Sequence, residues 1–330
     1  MNFLPFTSKP YVIDLPGREG VPERVHEFDE RSINAVNAAL AARRPLLVRG
    51  EPGVGKTQLA EAVAVKLGRA FYSFTVDART ESHDLLWRFD AVMRLAQAQL
   101  CAALNQDPER VERELAVQNF VHPGPLWWAF DSASARAAST IGDIPMGYHN
   151  NEEREQNGWV VLIDEIDKAE SDVPNGLLEA LGAGQFTPFG YEKPVTIAGV
   201  PPLIIITTNE ERVLPDAFVR RCLVLPLALP RGDEALIAYL KQRGQAHFGD
   251  ATTETVLHEA ARQLVQDRKF AEQQQLRPLP GQAEYLDLIR AVVGLAEGDM
   301  DKQEALLASA AQFALRKHPE MWDATPEANS

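Results

Sequence analysis

Leu46-Leu47-Val48-Arg49-Gly50-Glu51-Pro52-Gly53-Val54-Gly55-Lys56-Thr57 is the stretch on which the rest of the chain turns. Leu46 to Val48 predict a short apolar strand that stops at Gly50. Three glycines in six residues then lead to Lys56-Thr57, and Gln58 to Leu67 predict an amphipathic helix. Strand, glycine-rich turn and helix are the setting in which GxxxxGK[ST] acts as a phosphate-binding loop. Gly50, Gly53 and Gly55 let the backbone curl with its N–H groups inward, so Gly50, Glu51, Pro52, Gly53, Val54, Gly55, Lys56, Thr57 and Gln58 are the expected phosphate contacts. Lys56 is placed to reach β- and γ-phosphates and Thr57 to ligate Mg²⁺, while the helix N-terminus adds partial positive charge. A nucleoside triphosphate is the expected ligand.

Further strands follow at the spacing of an α/β domain. Phe71 to Val76 reads as the second, and Val160-Val161-Leu162-Ile163 as the third. The third is apolar without alternation, as a strand covered on both faces should be. Leu203 to Thr207 is the fourth and Cys222 to Leu225 the fifth. Parallel strands with helical crossovers bind ligands at their carboxyl ends. Asp164 and Glu165 sit at one such end: Asp164 suits Mg²⁺, and Glu165 suits a role polarising an attacking water. Asn209 ends the next strand, where its amide can hydrogen-bond that water or the γ-phosphate.

Helices are expected at Glu30 to Ala42, Leu85 to Leu104, a short stretch toward Phe120, Leu126 to Phe130, Val173 to Ala183 and Asp216 to Arg221. Phe186 to Ile197 reads as a hairpin turning near Gly190, with Phe189 and Tyr191 as candidates to grip a client. Residues 142–158 read as an exposed loop. Beyond Pro226 and Pro230 the pattern becomes helical over Asp233 to His247, Thr253 to Leu264, Pro280 to Gly294 and Lys302 to Arg316. The expected organisation is an N-terminal arm over residues 1–25 and an α/β ATPase domain over 26–229, carrying helical and loop insertions around 85–158. A helical lid over 230–318 and a tail over 319–330 complete it.

Composition narrows the classes. With 47 acidic against 33 basic residues the net charge is −14, which disfavours a protein whose main task is coating nucleic acid. Cys101 and Cys222 lie far apart, without metal-ligand spacing, and suit a reducing, cytoplasmic setting. The histidines form no zinc pattern. No signal peptide or membrane-length apolar run is present in the sequence, so no membrane insertion is expected.

The ordered set GEPGVGKT (Gly50 to Thr57), VVLIDEIDKA (Val160 to Ala169), IIITTNE (Ile204 to Glu210) and LPDAFVRRC (Leu214 to Cys222) resembles AAA+ ATPases of the MoxR family over roughly residues 25–295. The resemblance implies an AAA+ P-loop NTPase with a central parallel sheet and a small all-helical lid. It also implies hydrolysis of ATP with Mg²⁺ and assembly as a homo-oligomer, a hexameric ring. Lys56 and Thr57 then belong to Walker A, Asp164 and Glu165 to Walker B, and Asn209 is sensor 1. Arg221, with Arg220 as partner or substitute, is the expected arginine finger acting on a neighbouring subunit. Such families remodel or mature a protein client, often with a partner bearing a von Willebrand factor A domain. A motor acting on nucleic acid in a restriction or defence system is the alternative. One departure stands out: where the resemblance implies a sensor 2 arginine opening the lid's third helix, this chain has Ala283, so either sensor 2 is absent or Arg277 or Lys269 substitutes for it.

Overall fold

The structure, a computed structural model, describes residues 9–17, 23–104, 107–139, 151–318 and 320. Parts of the expected arm (1–8, 18–22), loop (142–150) and tail (319, 321–330) lie outside the described residues. The chain divides into two compact units. Glu30–Arg49 and Ala60–Leu225 belong to one, and Lys9–Asp29, Gly50–Leu59 and the residues from Pro226 onward to the other.

The first unit is built on a five-stranded sheet. Its strands are β1 (Leu46–Arg49), β2 (Ala70–Thr75), β3 (Trp159–Asp164), β4 (Leu203–Thr208) and β5 (Leu223–Pro226), in the order β5-β1-β4-β3-β2. The pairs β1/β4, β4/β3 and β3/β2 run parallel, with Ile205 opposite both Leu46 and Leu162. All of β4 and all of β3 up to Ile163 are buried, which explains why neither alternates in sequence. Helices Glu30–Ala42, Lys56–Leu67 and Asp172–Ala183 fall where periodicity puts them. Pro125–Phe130 forms the expected buried helix, started by Pro125 in its first turn, where a missing N–H costs nothing. Its Trp127, Trp128 and Phe130 join β3, Val173 and Leu177 in one core. A central parallel sheet flanked by helices, with helices C-terminal to it, is the AAA+ P-loop NTPase fold.

The insertion differs from its sequence reading. Leu85 to Leu104 is not one helix. Trp87–Phe89 is a strand paired antiparallel with Val121–Pro123, and the helix runs over Ala91–Ala103, capped by the Asp90 carboxylate accepting from the Met93 N–H. That helix is inverted: Arg94 and Gln97 bond to the segment around Glu114, while Val92 (79% exposed), Met93, Leu95 and Leu100 stay open. Pro108–Glu114 is a separate helix capped by Asp107. Residues 151–157, expected as loop, form a helical turn at Asn151–Arg154 and a 3₁₀ turn at Glu155–Asn157. The Asp216 helix stops at Val219 rather than Arg221. The expected hairpin shrinks to Gln185–Phe186 paired with Val195–Thr196.

In the second unit, helices Asp233–Phe248, Glu254–Gln273, Gln282–Ala296 and Met300–Leu315 enclose a core that includes Leu240, Leu257, Leu264, Tyr285 and Ile289. The second of these runs nine residues past the expected end at Leu264. Asp267 and Arg268 lie on its inward face and interrupt the apolar period that marks a helix in sequence. The described part of the arm forms a ribbon in which Tyr11–Leu15 pairs antiparallel with Arg24–Phe28. This ribbon is tied into the unit by the Arg243–Glu27 ion pair at 3.2 Å. Gln58 adds a bond from its Nε2 to the Val25 carbonyl at 3.1 Å, with its Oε1 3.5 Å from His26 Nδ1.

Burial and the nearby Arg243 guanidinium hold His26 down to about 4, and burial likewise lowers His247 to about 4. Each binds a proton more readily when unfolded, so the stability it contributes is complete above its ordinary value and is lost as pH falls from 6.5 toward 4. For His26 alone the loss amounts to roughly 3 kcal/mol at full protonation. Thermal melts should therefore hold steady above about pH 7 and decline below about pH 6.5. His26→Gln should flatten that decline, and an unchanged midpoint down to about pH 5 would contradict the assignment.

Candidate functional site

The phosphate loop belongs to the second unit, and its glycines are required by close approaches there. A Cβ on Gly50 would lie 2.1 Å from the Leu227 carbonyl oxygen, and one on Gly53 would lie 2.9 Å from Ala283 Cβ. Gly53 and Gly55 also take φ of 79° and 94°, the left-handed region in which side chains are strained. Lys56 is buried, and its ammonium donates to the Gly50 and Glu51 carbonyls at 2.7 and 2.9 Å. Thr57 stands exposed in the first turn of the Lys56–Leu67 helix. A tight backbone cradle, a lysine amine folded over it and a hydroxyl at a helix start are a donor set that fits a triphosphate and its Mg²⁺.

Ala283 lies beside Gly53, so no sensor 2 arginine occupies the expected place. Of the proposed substitutes, Lys269 pairs with Asp233, and Arg277 reaches Glu51 only at 3.9 Å. The cation that hydrogen-bonds the loop's Glu51 is Arg268, which sequence reasoning passed over. Its Nη2 donates to Glu51 Oε2 at 2.8 Å and its Nη1 to the Pro280 carbonyl at 3.0 Å. The one sequence signal was an arginine four residues beyond Leu264, on the helix's inward face. Gln282 was also missed: it is buried, accepts from the Tyr239 hydroxyl at 2.6 Å, and has its Nε2 4.0 Å from where a Gly55 Cβ would lie.

In the sheet unit, the carboxyl ends of β3 and β4 bring Asp164, Glu165 and Asn209 together, as expected. The Thr207 hydroxyl, unnamed in the sequence reading, organises them. It donates to Asp164 Oδ1 at 2.5 Å and accepts from the Glu165 N–H at 2.9 Å. Glu165 takes a left-handed φ of 61°. Its Oε1 accepts from Asn209 Nδ2 at 3.1 Å and its Oε2 from the Lys168 ammonium at 2.5 Å. That carboxylate raises the Lys168 pKa. Asp167, buried at 2% exposure, accepts from the Glu211 N–H at 2.9 Å and so pins the turn after Asn209.

Arg220 and Arg221 are both exposed at the end of their helical turn, and Arg44 donates to both of their carbonyls. Of the hairpin aromatics, Tyr191 is committed to an edge contact with Trp127 at 5.3 Å and does not project as a grip. Phe189 is half exposed against Trp87 and Phe89. Among the described residues no group of three or more His, Cys, Asp or Glu is placed to hold a metal, and no helix is long and apolar enough to cross a membrane.

Thr207→Val keeps the volume of a wholly buried side chain but removes a hydroxyl that both donates and accepts. It should cost about 1–3 kcal/mol in chemical denaturation, the penalty of buried groups left without partners. A loss near zero would show that the hydroxyl is dispensable.

The family model of the AAA domain (dynein-related subfamily) matches residues 45–222, more than half of the chain. No curated protein matches it in sequence. Among solved structures it is similar to a RuvB mutant from Thermotoga maritima, at 13% identity and a TM-score of 0.44, over 86% of this chain and 68% of that one. A second is a putative ATPase from Cytophaga hutchinsonii, at 14% identity and a TM-score of 0.36, over 84% and 78%. The FIGL-1 AAA domain in complex with ADP is similar at 16% identity and a TM-score of 0.39, over 84% and 74%. With the fold, the loop and the ordered strand-end residues, the family match makes this chain a member of the AAA domain family, dynein-related subfamily, and an AAA+ ATPase.

Proposed function

We propose that the chain couples hydrolysis of Mg·ATP to mechanical work on a macromolecular client, as a MoxR-like member assembled in a hexameric ring. Lys56 and the N–H groups of Gly50 to Gln58 bind the phosphates, and Thr57 with Asp164 holds Mg²⁺. The metal, when bound, screens phosphate charge and orients the oxygens. Glu165 takes the proton of the attacking water, and Asn209 orients that carboxylate. The observation that carries this reading is the Thr207-Asn209-Lys168 scaffold around Asp164 and Glu165. It is an arrangement suited to turnover rather than to binding alone. Arg221, with Arg220 beside it, serves as the finger for the neighbouring subunit.

For the client, family membership is common to two readings. One is a motor acting on nucleic acid in a restriction or defence system. The other is remodelling or maturation of a protein, with a von Willebrand factor A domain partner. The apolar face left open on the Ala91–Ala103 helix is a specific observation on the side of a protein client.

The ATPase rate per subunit should climb with protein concentration as size analysis in ATP detects a ring. Lys56→Ala should lose nucleotide binding, and Glu165→Gln should retain ATP without turnover. Arg221→Ala should bind ATP yet lose turnover by about 10³-fold, the scale of an arginine finger. A rate that is flat with concentration, or an active Arg221→Ala, would overturn the trans-acting finger. Stimulation by single- or double-stranded DNA selects the nucleic-acid motor, and stimulation by a co-purifying protein selects the remodeller.

A further inference from the structure

The sheet unit contains a cavity at the far end of the sheet from Asp164 and Glu165, with the proposed finger Arg221 on its lining. It has a volume of about 1230 Å³ and lies at the amino ends of β1 and β4, against Pro45 and Pro202. Glu165 and Asn209 leave the opposite ends of their strands, and a six-residue strand is about 20 Å long. Five cations line the cavity, Arg43, Arg44, Lys66, Arg69 and Arg221, and among its described lining residues there is no Asp or Glu. This is unexpected in a chain with 47 acidic against 33 basic residues.

The hydrogen bonds that Arg44 and Arg69 make there do not neutralise their charge. Arg44 donates to the Arg221 carbonyl at 3.0 Å and Arg69 to the Pro201 carbonyl at 3.3 Å. A carbonyl satisfies an N–H but leaves the guanidinium's positive charge in place. Elsewhere in the same unit arginines meet carboxylates: Arg136 pairs with Glu152 and Glu155, and Arg212 with Glu170. The walls between the cations are aliphatic, from Leu178, Leu181, Ile197 and Val200. Phe130, the aromatic among the described lining residues, is buried in the core against Phe186 and presents no stacking platform for a nucleobase.

We propose that this cavity docks an acidic segment of a partner protein that carries large aliphatic anchor residues. Its carboxylates meet the cations at the mouth, Arg43 foremost, and its anchors fill the space against Leu181, Ile197 and Val200. Charge complementarity gives the rate of encounter, and aliphatic burial gives retention.

The test uses the full chain and a fluorescein-labelled peptide of leucines flanked by glutamates, read by fluorescence polarisation. The matching peptide with lysines in place of the glutamates and a single-stranded oligonucleotide are the comparisons. Arg43→Glu and Val200→Asp alter exposed positions outside the ATP chemistry, and their thermal melts and nucleotide binding should match the parent. The acidic peptide should bind, and each variant should weaken it about tenfold or more. Binding no tighter than that of the lysine peptide, or binding untouched by both variants, overturns the proposal. An oligonucleotide that displaces the peptide, is lost in Arg43→Glu and is indifferent to Val200→Asp also overturns it, in favour of nucleic acid.

Discussion

Two adjacent carboxylates at the end of a strand buried on both faces are hard to hold in place. Asp164 and Glu165 stand close to one another, only partly exposed at the end of an apolar sheet that offers few hydrogen-bond partners. The Thr207 hydroxyl meets both demands from the neighbouring strand, donating to Asp164 and accepting from the Glu165 backbone. This works because β4 runs parallel to β3 in a register that pairs Ile206 with Ile163. A slip of one residue would turn the Thr207 side chain to the other face of the sheet. The register is held in turn by apolar side chains packed on both faces, so the core of the sheet and the geometry of the carboxylates depend on one arrangement.

The phosphate loop is held in a different way. Backbone approaches at Gly50 and Gly53 fix its path sterically, and these are insensitive to solvent or salt. The Arg268–Glu51 pair adds direction more than stability. Glu51 is 45% exposed, so water can replace the arginine at small cost, and such pairs contribute about 0–1 kcal/mol. Its value lies in geometry: a helix of the C-terminal bundle holds a loop carboxylate by an arginine that also bonds the Pro280 carbonyl. With Ala283 beside Gly53, the polar side chains that this unit brings to the loop include Arg268, Gln282 and Glu284.

Charge is distributed unevenly against the net balance. An acidic chain gathers Arg43, Arg44, Arg69 and Arg221 around one cavity of the sheet unit, while Val92, Met93, Leu95 and Leu100 lie open on the Ala91–Ala103 helix. The helix is inverted because its polar residues, Arg94 and Gln97, find partners near Glu114. An exposed apolar face and a cationic hollow are both surfaces that association with another macromolecule would complete.

The sequence by itself determined what depends on neighbouring residues. The phosphate loop was legible because its glycines, lysine and threonine act within one turn. Strands β3 and β4 were legible because strands buried on both faces are nearly uninterrupted apolar runs, and the Glu30–Ala42 helix because its period is unbroken. Asp164, Glu165 and Asn209 could be read from the strand ends they occupy. Only the tertiary structure decided what depends on distant partners. Trp87–Phe89 is a strand because Val121–Pro123 pairs with it, and three residues carry no period of their own. Thr207 acts on a residue 42 positions away, and Arg268 on one 217 positions away. Within their own segments one is a polar residue near the end of an apolar strand and the other a charge that breaks a helical stripe. A side chain's role is set by the group it meets in space, and local pattern does not record that.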